Sequence, residues 1–224
     1  MTNTSPHRSI LGASAWLMLG AVFPATPSFA EALQEDQSLP ALYAVTGVEQ
    51  GDELNIRLEP QSNADIIGSL PPQSAGIEVV GRKGSWLQIN SVEASGWVAA
   101  RFLEREAGAP QSGVLPERLA CFGTEPFWSV VAAGSTLNYN TPDNPDGTSF
   151  SVRHVTRAMN SPSPHWIILG ERQAQSMTAV VMPETCSDGM SDRAFGLAAT
   201  IVIDSGDTAT GLSGCCSIAP AAQN

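Results

Sequence analysis

The sequence predicts an all-β protein built from two separately stabilised modules, and three observations lead to this. Short apolar runs alternate with turn signals along most of the chain, and no long stretch has the periodicity of an amphipathic helix. The 20 glycines and 16 prolines among 224 residues supply the turns that many short strands require. All four cysteines lie in the second half, which indicates that the two halves are stabilised by different means.

Charge and composition exclude two classes of protein. The chain has 11 Lys+Arg against 22 Asp+Glu and a formal net charge of −11, whereas a nucleic-acid binder needs basic groups to displace phosphate counterions. Nucleic acid is therefore not an expected partner. With 42% hydrophobic and 15% charged residues, the chain is too apolar and too weakly charged to be disordered throughout.

The first 30 residues have the pattern of a secretory signal peptide. Arg8 precedes an apolar stretch at 10–23, and small residues follow that suit cleavage after Ala30 or after Ala32. The apolar stretch is shorter than the roughly 20 residues that a membrane-spanning helix needs. We therefore expect a periplasmic or secreted protein with no membrane span after signal cleavage.

Composition divides the remaining chain into four segments. Residues 31–40 are polar, acidic and end in proline, which predicts a flexible leader. A first strand-rich module covers 41–104. Residues 105–118 contain Gly, Pro and balanced charges without periodicity, which predicts a linker. A cysteine-containing β domain covers 119–224, and its apolar runs are typical of a β-barrel or β-sandwich.

The first module contains five short sequence segments whose order and spacing are informative. They are LNIR (54–57), IIGSLPP (66–72), IEVVG (77–81), SWLQI (85–89) and SGWVAARFL (95–103). Together they resemble a bacterial SH3-like domain over residues 41–103. The resemblance implies a small barrel of a kind often attached to exported proteins that touch the cell wall, where it binds wall peptides in some cases and acts as a spacer in others.

Two tryptophans of this module, Trp86 and Trp97, have two interpretations. An indole offers a large contact area and one hydrogen-bond donor, which suits ligand binding. Buried aromatic side chains also dominate the cores of small domains. We favour this second interpretation and expect both tryptophans to complete the core. They nevertheless remain candidate binding residues.

Three motifs mark the second module: CFGTEPFWSV (121–130), CSDGMSDRAF (186–195) and LSGCC (212–216). Together they resemble a family of uncharacterised bacterial envelope proteins and lipoproteins. That resemblance implies a family and no settled activity. Besides the cysteines, the motifs supply six candidate binding residues: Glu125, Phe127, Trp128, Asp188, Asp192 and Arg193.

The four cysteines of an exported domain predict two disulfides. Neighbouring residues of a strand point to opposite faces, so Cys215 and Cys216 are expected to reach different partners. Cys121 and Cys186 should therefore each pair with one of them, and the sequence leaves open which takes which. Cys-x-x-Cys and His-x-x-x-His spacings are absent, so we predict no zinc site and no cofactor.

The acidic residues of the motifs allow two further hypotheses. Asp188 and Asp192 flank Gly189 as in a calcium loop, but a third acid and a bidentate glutamate are missing, which favours an Asx-turn. Glu125 with Asp188 or Asp192 would form a glycosidase-like carboxylate pair, although the Glu125 motif holds no second acid. We therefore assign no catalytic residue.

These observations favour an exported, non-catalytic envelope protein. Its SH3-like module would bind or locate it at the cell wall, and the ligand of the C-terminal domain is open. The expected partner is peptidoglycan or an envelope protein. One alternative is an inhibitor of wall-degrading enzymes such as lysozyme, and another is a wall-directed hydrolase that uses Glu125 with Asp188 or Asp192.

Overall fold

The computed structural model describes residues 1–2, 39–92, 94–108, 114–160 and 165–219. Their regular structure is almost entirely strand, which confirms the predicted all-β class; within these ranges a 3-10 turn at Ala100–Phe102 is the one helical element. No helix in this part of the chain is long and apolar enough to cross a membrane. The predicted signal peptide falls almost wholly outside the described residues.

Seven antiparallel strands form the first module. They are β1 (Ala41–Val45), β2 (Leu54–Arg57), β3 (Ile66–Leu70), β4 (Ile77–Lys83), β5 (Trp86–Asn90), β6 (Ser95–Ala99) and β7 (Leu103–Arg105). Their order across the sheet is β3-β2-β6-β5-β4-β1-β7. Alternate residues of each strand face inward, and a small apolar core that includes Val79, Ile89 and Val98 fills that side.

The second module is a closed eight-stranded barrel, the first of the two architectures that the sequence predicts for it. Its strands are β8 (Arg118–Thr124), β9 (Phe127–Ala133), β10 (Thr136–Thr141), β11 (Asn144–Thr156), β12 (Trp166–Arg172), β13 (Gln175–Cys186), β14 (Phe195–Asp204) and β15 (Ala209–Ser217). Each strand pairs with the next along the chain, so the barrel is an up-and-down meander. Large side chains such as Trp166, Phe150 and Ile201 are fully buried and fill its interior.

The barrel closes where β15 meets β8, and this seam contains only three paired positions, from Cys215–Phe122 to Ser217–Ala120. Cys121 and Cys216 lie opposite each other in the seam and form a disulfide. The bond links positions 95 residues apart, and a loop of that size removes unfolded-state entropy worth about 4.5 kcal/mol. The seam therefore contains few hydrogen bonds, and a disulfide bond holds its two strands together.

The second disulfide joins Cys186 at the end of β13 to Cys215 on β15. Cys216 belongs to the barrel core, whereas Cys215 points to the other face of the same strand. The prediction that Cys121 and Cys186 each bond to one of the two neighbouring cysteines is confirmed. The pairing that the sequence left open is Cys121–Cys216 and Cys186–Cys215.

A close approach of two backbones explains the glycine of the LSGCC motif. A Cβ atom on Gly214 would collide with the backbone carbonyl of Phe122 on β8, and would lie 2.9 Å from Cζ2 of Trp128. A carbonyl cannot move aside as a flexible side chain can. Gly214 is therefore required for β15 to reach β8 and close the barrel.

The outer face of the first sheet packs against the barrel at Leu42 and Glu78, which are partners across β1 and β4. Leu42 packs on the barrel core. Glu78 is only 8% exposed and accepts hydrogen bonds from the Ile218 N–H at 2.9 Å and from the Ser217 hydroxyl. Burial raises the pKa of Glu78, while these two hydrogen bonds and the charge of Arg193 act in the opposite direction.

A second contact joins the modules through the loop between β13 and β14. The Asn90 amide donates to the Ala194 carbonyl at 2.8 Å and accepts from the Ala194 N–H at 3.0 Å. The Ser95 N–H donates to the Asp192 carbonyl at 2.9 Å. Of the predicted leader the structure describes Leu39 and Pro40; Leu39 packs on the first core and Pro40 is buried.

Replacing Gly214 by alanine should destabilise the protein by at least about 2 kcal/mol, because the new methyl group overlaps the backbone of β8. The matched control is Gly211→Ala on the same strand, where a Cβ would meet no atom within 4 Å. Chemical denaturation of both variants measures the difference. Equal stability of the two variants would show that the seam tolerates a side chain.

Glu78→Gln should flatten the pH dependence of stability. The folded protein holds the Glu78 proton more tightly than the unfolded chain, so the contribution of this group is complete below its ordinary pKa of 4.5. It is lost as the pH rises towards the raised folded pKa. A glutamine keeps both hydrogen bonds without a buried charge, since its amide nitrogen donates to the Ser217 oxygen.

The measurement is the free energy of unfolding between pH 4 and pH 7. We expect Glu78→Gln to lose less stability than the wild type over this range and to be at least as stable at pH 7. Glu104→Gln, an exposed glutamate of β7, is the control. If the unfolding free energy of Glu78→Gln changed with pH in parallel to that of the wild type, the raised pKa of Glu78 would be contradicted.

Candidate functional site

The outer face of the first sheet carries both tryptophans. On β5, Leu87 and Ile89 point into the core, so Trp86 and Gln88 point outward. On β6 the buried Val98 likewise leaves Trp97 on the outer face. Both indoles are half-buried, and the expectation that they complete the core is wrong. Tyr43 and a set of aliphatic side chains fill the inner positions, so the small core forms without the two indoles.

Strand register brings polar and basic side chains to these tryptophans. Gln88 lies opposite Trp97, whereas Lys83 lies opposite Trp86 and Arg57 opposite Trp97 on the neighbouring strands. Residues directly opposite each other share a face of the sheet. We call these five residues (Arg57, Lys83, Trp86, Gln88 and Trp97) the tryptophan face.

Local hydrogen bonds orient two of the polar members of the tryptophan face, Arg57 and Gln88. The Arg57 guanidinium donates to the Ala64 carbonyl at 2.7 Å, and the Gln88 amide donates to the Ser95 hydroxyl at 3.1 Å. Gly81 lies opposite Gln88, where a Cβ atom would come within 2.7 Å of the Gln88 Oε1. The glycine therefore leaves room for the Gln88 side chain across the sheet.

The tryptophan face borders the contact between the modules. Asn90 and Ser95 continue the same outward-facing rows of β5 and β6, and both bind the barrel loop. One end of the outer face is thus docked on the barrel, and the end with the two tryptophans stays half-exposed. A pattern of alternating residues cannot show this, because it does not reveal that the sheet has a neighbour on its outer side.

On the barrel, the two long motifs meet at one hydrogen bond. The Thr124 hydroxyl of β8 donates to the Asp188 carbonyl at 3.0 Å. Glu125 is exposed in the turn that follows, and Phe127 is 54% exposed at the start of β9. Trp128 is buried in the barrel core instead, so its role is structural packing.

The Asp188 carboxylate binds its own loop. Its Oδ1 accepts hydrogen bonds from the N–H groups of Met190 at 3.0 Å and Ser191 at 2.9 Å, and its Oδ2 accepts one from the Ser191 hydroxyl at 2.8 Å. The backbone hydrogen bond from Ser191 is the main cause that lowers the pKa of Asp188, with Met190 and the charge of Arg193 adding to it. The favoured Asx-turn is the arrangement found.

Asp192 and Arg193 also serve the architecture of this loop. Asp192 contributes its backbone carbonyl to the contact with Ser95. The Arg193 guanidinium lies 5.2 Å from the ring centre of Phe195, which packs edge-on against Phe122 at 5.0 Å. The CSDGMSDRAF motif (186–195) therefore contributes mainly to its own loop structure and to the interface between the barrel and the first module.

In the described ranges no group of three or more His, Cys, Asp or Glu side chains could hold a metal ion.

A pocket of about 370 Å³ lies beside the β8–β9 hairpin, and we call it the hairpin pocket. It is lined by Phe122, Gly123, Thr124, Phe127, Trp128, Ser129, Asn140, Thr141 and Pro142. Phe127 and Trp128 were candidate binding residues from their motif, whereas Asn140 and Thr141 carry no sequence signal and lie here because β10 pairs with β9.

Comparison with known proteins supports the first module. Residues 52–104 match the family model described as a bacterial SH3 domain, which confirms the resemblance noted for that segment. No curated protein and no solved structure matches the chain. The first module is thus similar to a bacterial SH3 domain, and such a domain is consistent with a module that associates with the cell wall.

Proposed function

We propose that this protein is an exported, non-catalytic wall-binding protein and that the tryptophan face contacts peptidoglycan. The observation that carries the proposal is the placement of Trp86 and Trp97 on adjacent strands, diagonal to each other on the outer face of the SH3-like sheet and outside the core. An indole provides a large, rigid contact surface at little cost in conformational entropy. Two half-buried indoles on one face are therefore suited to a binding surface.

The charges around the tryptophans fit the same role. The chain carries only 11 basic residues against 22 acidic ones, yet Arg57 and Lys83 both lie next to the tryptophans. Their cations would attract the carboxylates of wall peptides, which the rest of this acidic protein repels. The two disulfides are compatible with an oxidising compartment outside the cytoplasm, as the predicted signal peptide also requires.

A wall-directed hydrolase receives less support from the site. A retaining or inverting glycosidase needs two carboxylates that are free to act as acid, base or nucleophile. Both oxygens of Asp188 are occupied by its own loop, and its lowered pKa suits a structural carboxylate rather than a proton donor. Of the two acids that the hydrolase hypothesis pairs with Glu125, Asp188 is therefore poorly suited to the role.

The test is co-sedimentation of the mature full-length protein with purified, insoluble peptidoglycan. We expect Trp86→Ala and Trp97→Ala each to weaken retention about tenfold, since truncating an anchoring tryptophan commonly costs 1–2 kcal/mol or more. The matched control is Leu58→Ala, an exposed apolar residue of the same module. Thermal unfolding of each variant establishes that the fold is kept.

Two outcomes would overturn the proposal. The first is retention of the Trp86→Ala/Trp97→Ala double variant at the level of Leu58→Ala. The second is absence of retention for the wild type; if that protein also inhibited lysozyme in a turbidity assay, the result would favour the alternative of a lysozyme inhibitor.

A further inference from the structure

The hairpin pocket on the barrel has a lining whose chemistry no part of the wall-binding proposal uses. Its apolar side is formed by aromatic rings, with Phe127 exposed enough to meet a ligand. Its polar side is formed by Thr124, Ser129, Asn140 and Thr141. The Thr124 hydroxyl already donates to the Asp188 carbonyl, and the Thr141 hydroxyl already accepts from the Asn144 N–H. At about 370 Å³ it lies at the small end of the range of ligand sites.

The polar groups of the pocket are partly fixed in advance. The Asn140 Nδ2 donates to the Pro145 carbonyl at 2.7 Å, which orients the amide and leaves its Oδ1 to accept a hydrogen bond. Ser129 and Asn140 are direct partners across β9 and β10, so the two side chains share a face of the sheet. A ligand would therefore meet a preformed row of polar atoms beside the aromatic rings.

Charge narrows the class of ligand. None of the nine lining residues is ionisable, so the pocket offers no partner for a charged group. The neighbouring residues Glu125 and Asp143, on either side of the lining segments, are exposed acids. These acids would repel an anionic ligand, and a purely apolar ligand would make no use of the Asn140 Oδ1, which can still accept a hydrogen bond.

We propose that the hairpin pocket binds a neutral sugar ring that carries an N-acetyl group. The apolar face of the ring packs on Phe127, its hydroxyls meet the threonine and serine hydroxyls, and the acetamido N–H donates to the Asn140 Oδ1. The site lies on the barrel, so it is independent of the tryptophan face. Either a polymeric glycan or a free amino sugar could present this chemistry.

The test is calorimetric titration of the mature full-length protein with the β-1,4-linked tetramer of N-acetylglucosamine. We expect saturable binding that Phe127→Ala weakens about tenfold, the loss of one aromatic contact of about 1.4 kcal/mol. Asn140→Ala should weaken binding of this tetramer, whereas cellotetraose, which lacks acetamido groups, should bind poorly to every form of the protein. Titration with monomeric N-acetylglucosamine distinguishes a polymeric glycan from a free amino sugar as the ligand, because a site for the polymer binds the tetramer more tightly than the monosaccharide.

The chain offers controls that separate this proposal from the first one. Met182 is 42% exposed on β13, four strands from β9 in either direction around the barrel, so Met182→Ala should leave sugar binding unchanged. Trp86→Ala and Trp97→Ala should also leave it unchanged while they reduce retention on peptidoglycan. Absence of tetramer binding, or equal binding by Phe127→Ala and Met182→Ala, would overturn the sugar site. Equal affinity for cellotetraose would overturn the role of the acetamido group.

Discussion

Closure of the barrel between its first and last strands is the constraint on which the rest of the structure depends. The seam has only three paired positions, so hydrogen bonds contribute little to it. Gly214 allows β15 to approach β8 closely, and the Cys121–Cys216 disulfide keeps the two strands together. The chain continues from the seam into Ser217 and Ile218, whose donors bind Glu78 of the first module. Barrel closure and module docking therefore use the same few residues at the end of β15.

The sequence predicts well what depends on neighbouring residues alone. Cys215 and Cys216 had to face opposite sides of a strand, so the choice of disulfides narrowed to two pairings. The same alternation puts Trp86 and Leu87 on opposite faces of their strand, but it could not say which face was the inner one. Which face points inward depends on side chains contributed by all seven strands, and the first sheet also has a barrel packed on its outer side.

Glu78 shows the same limit for a charged residue. It interrupts the apolar run IEVVG on the face opposite Val79, where a sequence pattern predicts exposure to solvent. The structure buries it because Ser217 and Ile218, about 140 positions later in the chain, cover it. The loop from Cys186 to Phe195 is the converse case. Its acids and serines suggested chemistry, yet the Asp188 carboxylate binds N–H groups of the loop itself, and Asp192 contacts the first module through its backbone carbonyl.

The reciprocal hydrogen bonds between Asn90 and Ala194 have a consequence for recognition of a polymer. Together with the Glu78 contact, they fix the first module on the barrel at two places. These contacts connect the module that carries the tryptophan face to the barrel that carries the hairpin pocket. Two weak sites held rigidly apart act on a repeating polymer with a high effective concentration, provided that the spacing of the polymer matches theirs. In the proposal that both sites bind one glycan polymer, avidity rather than single-site affinity would determine what the protein retains.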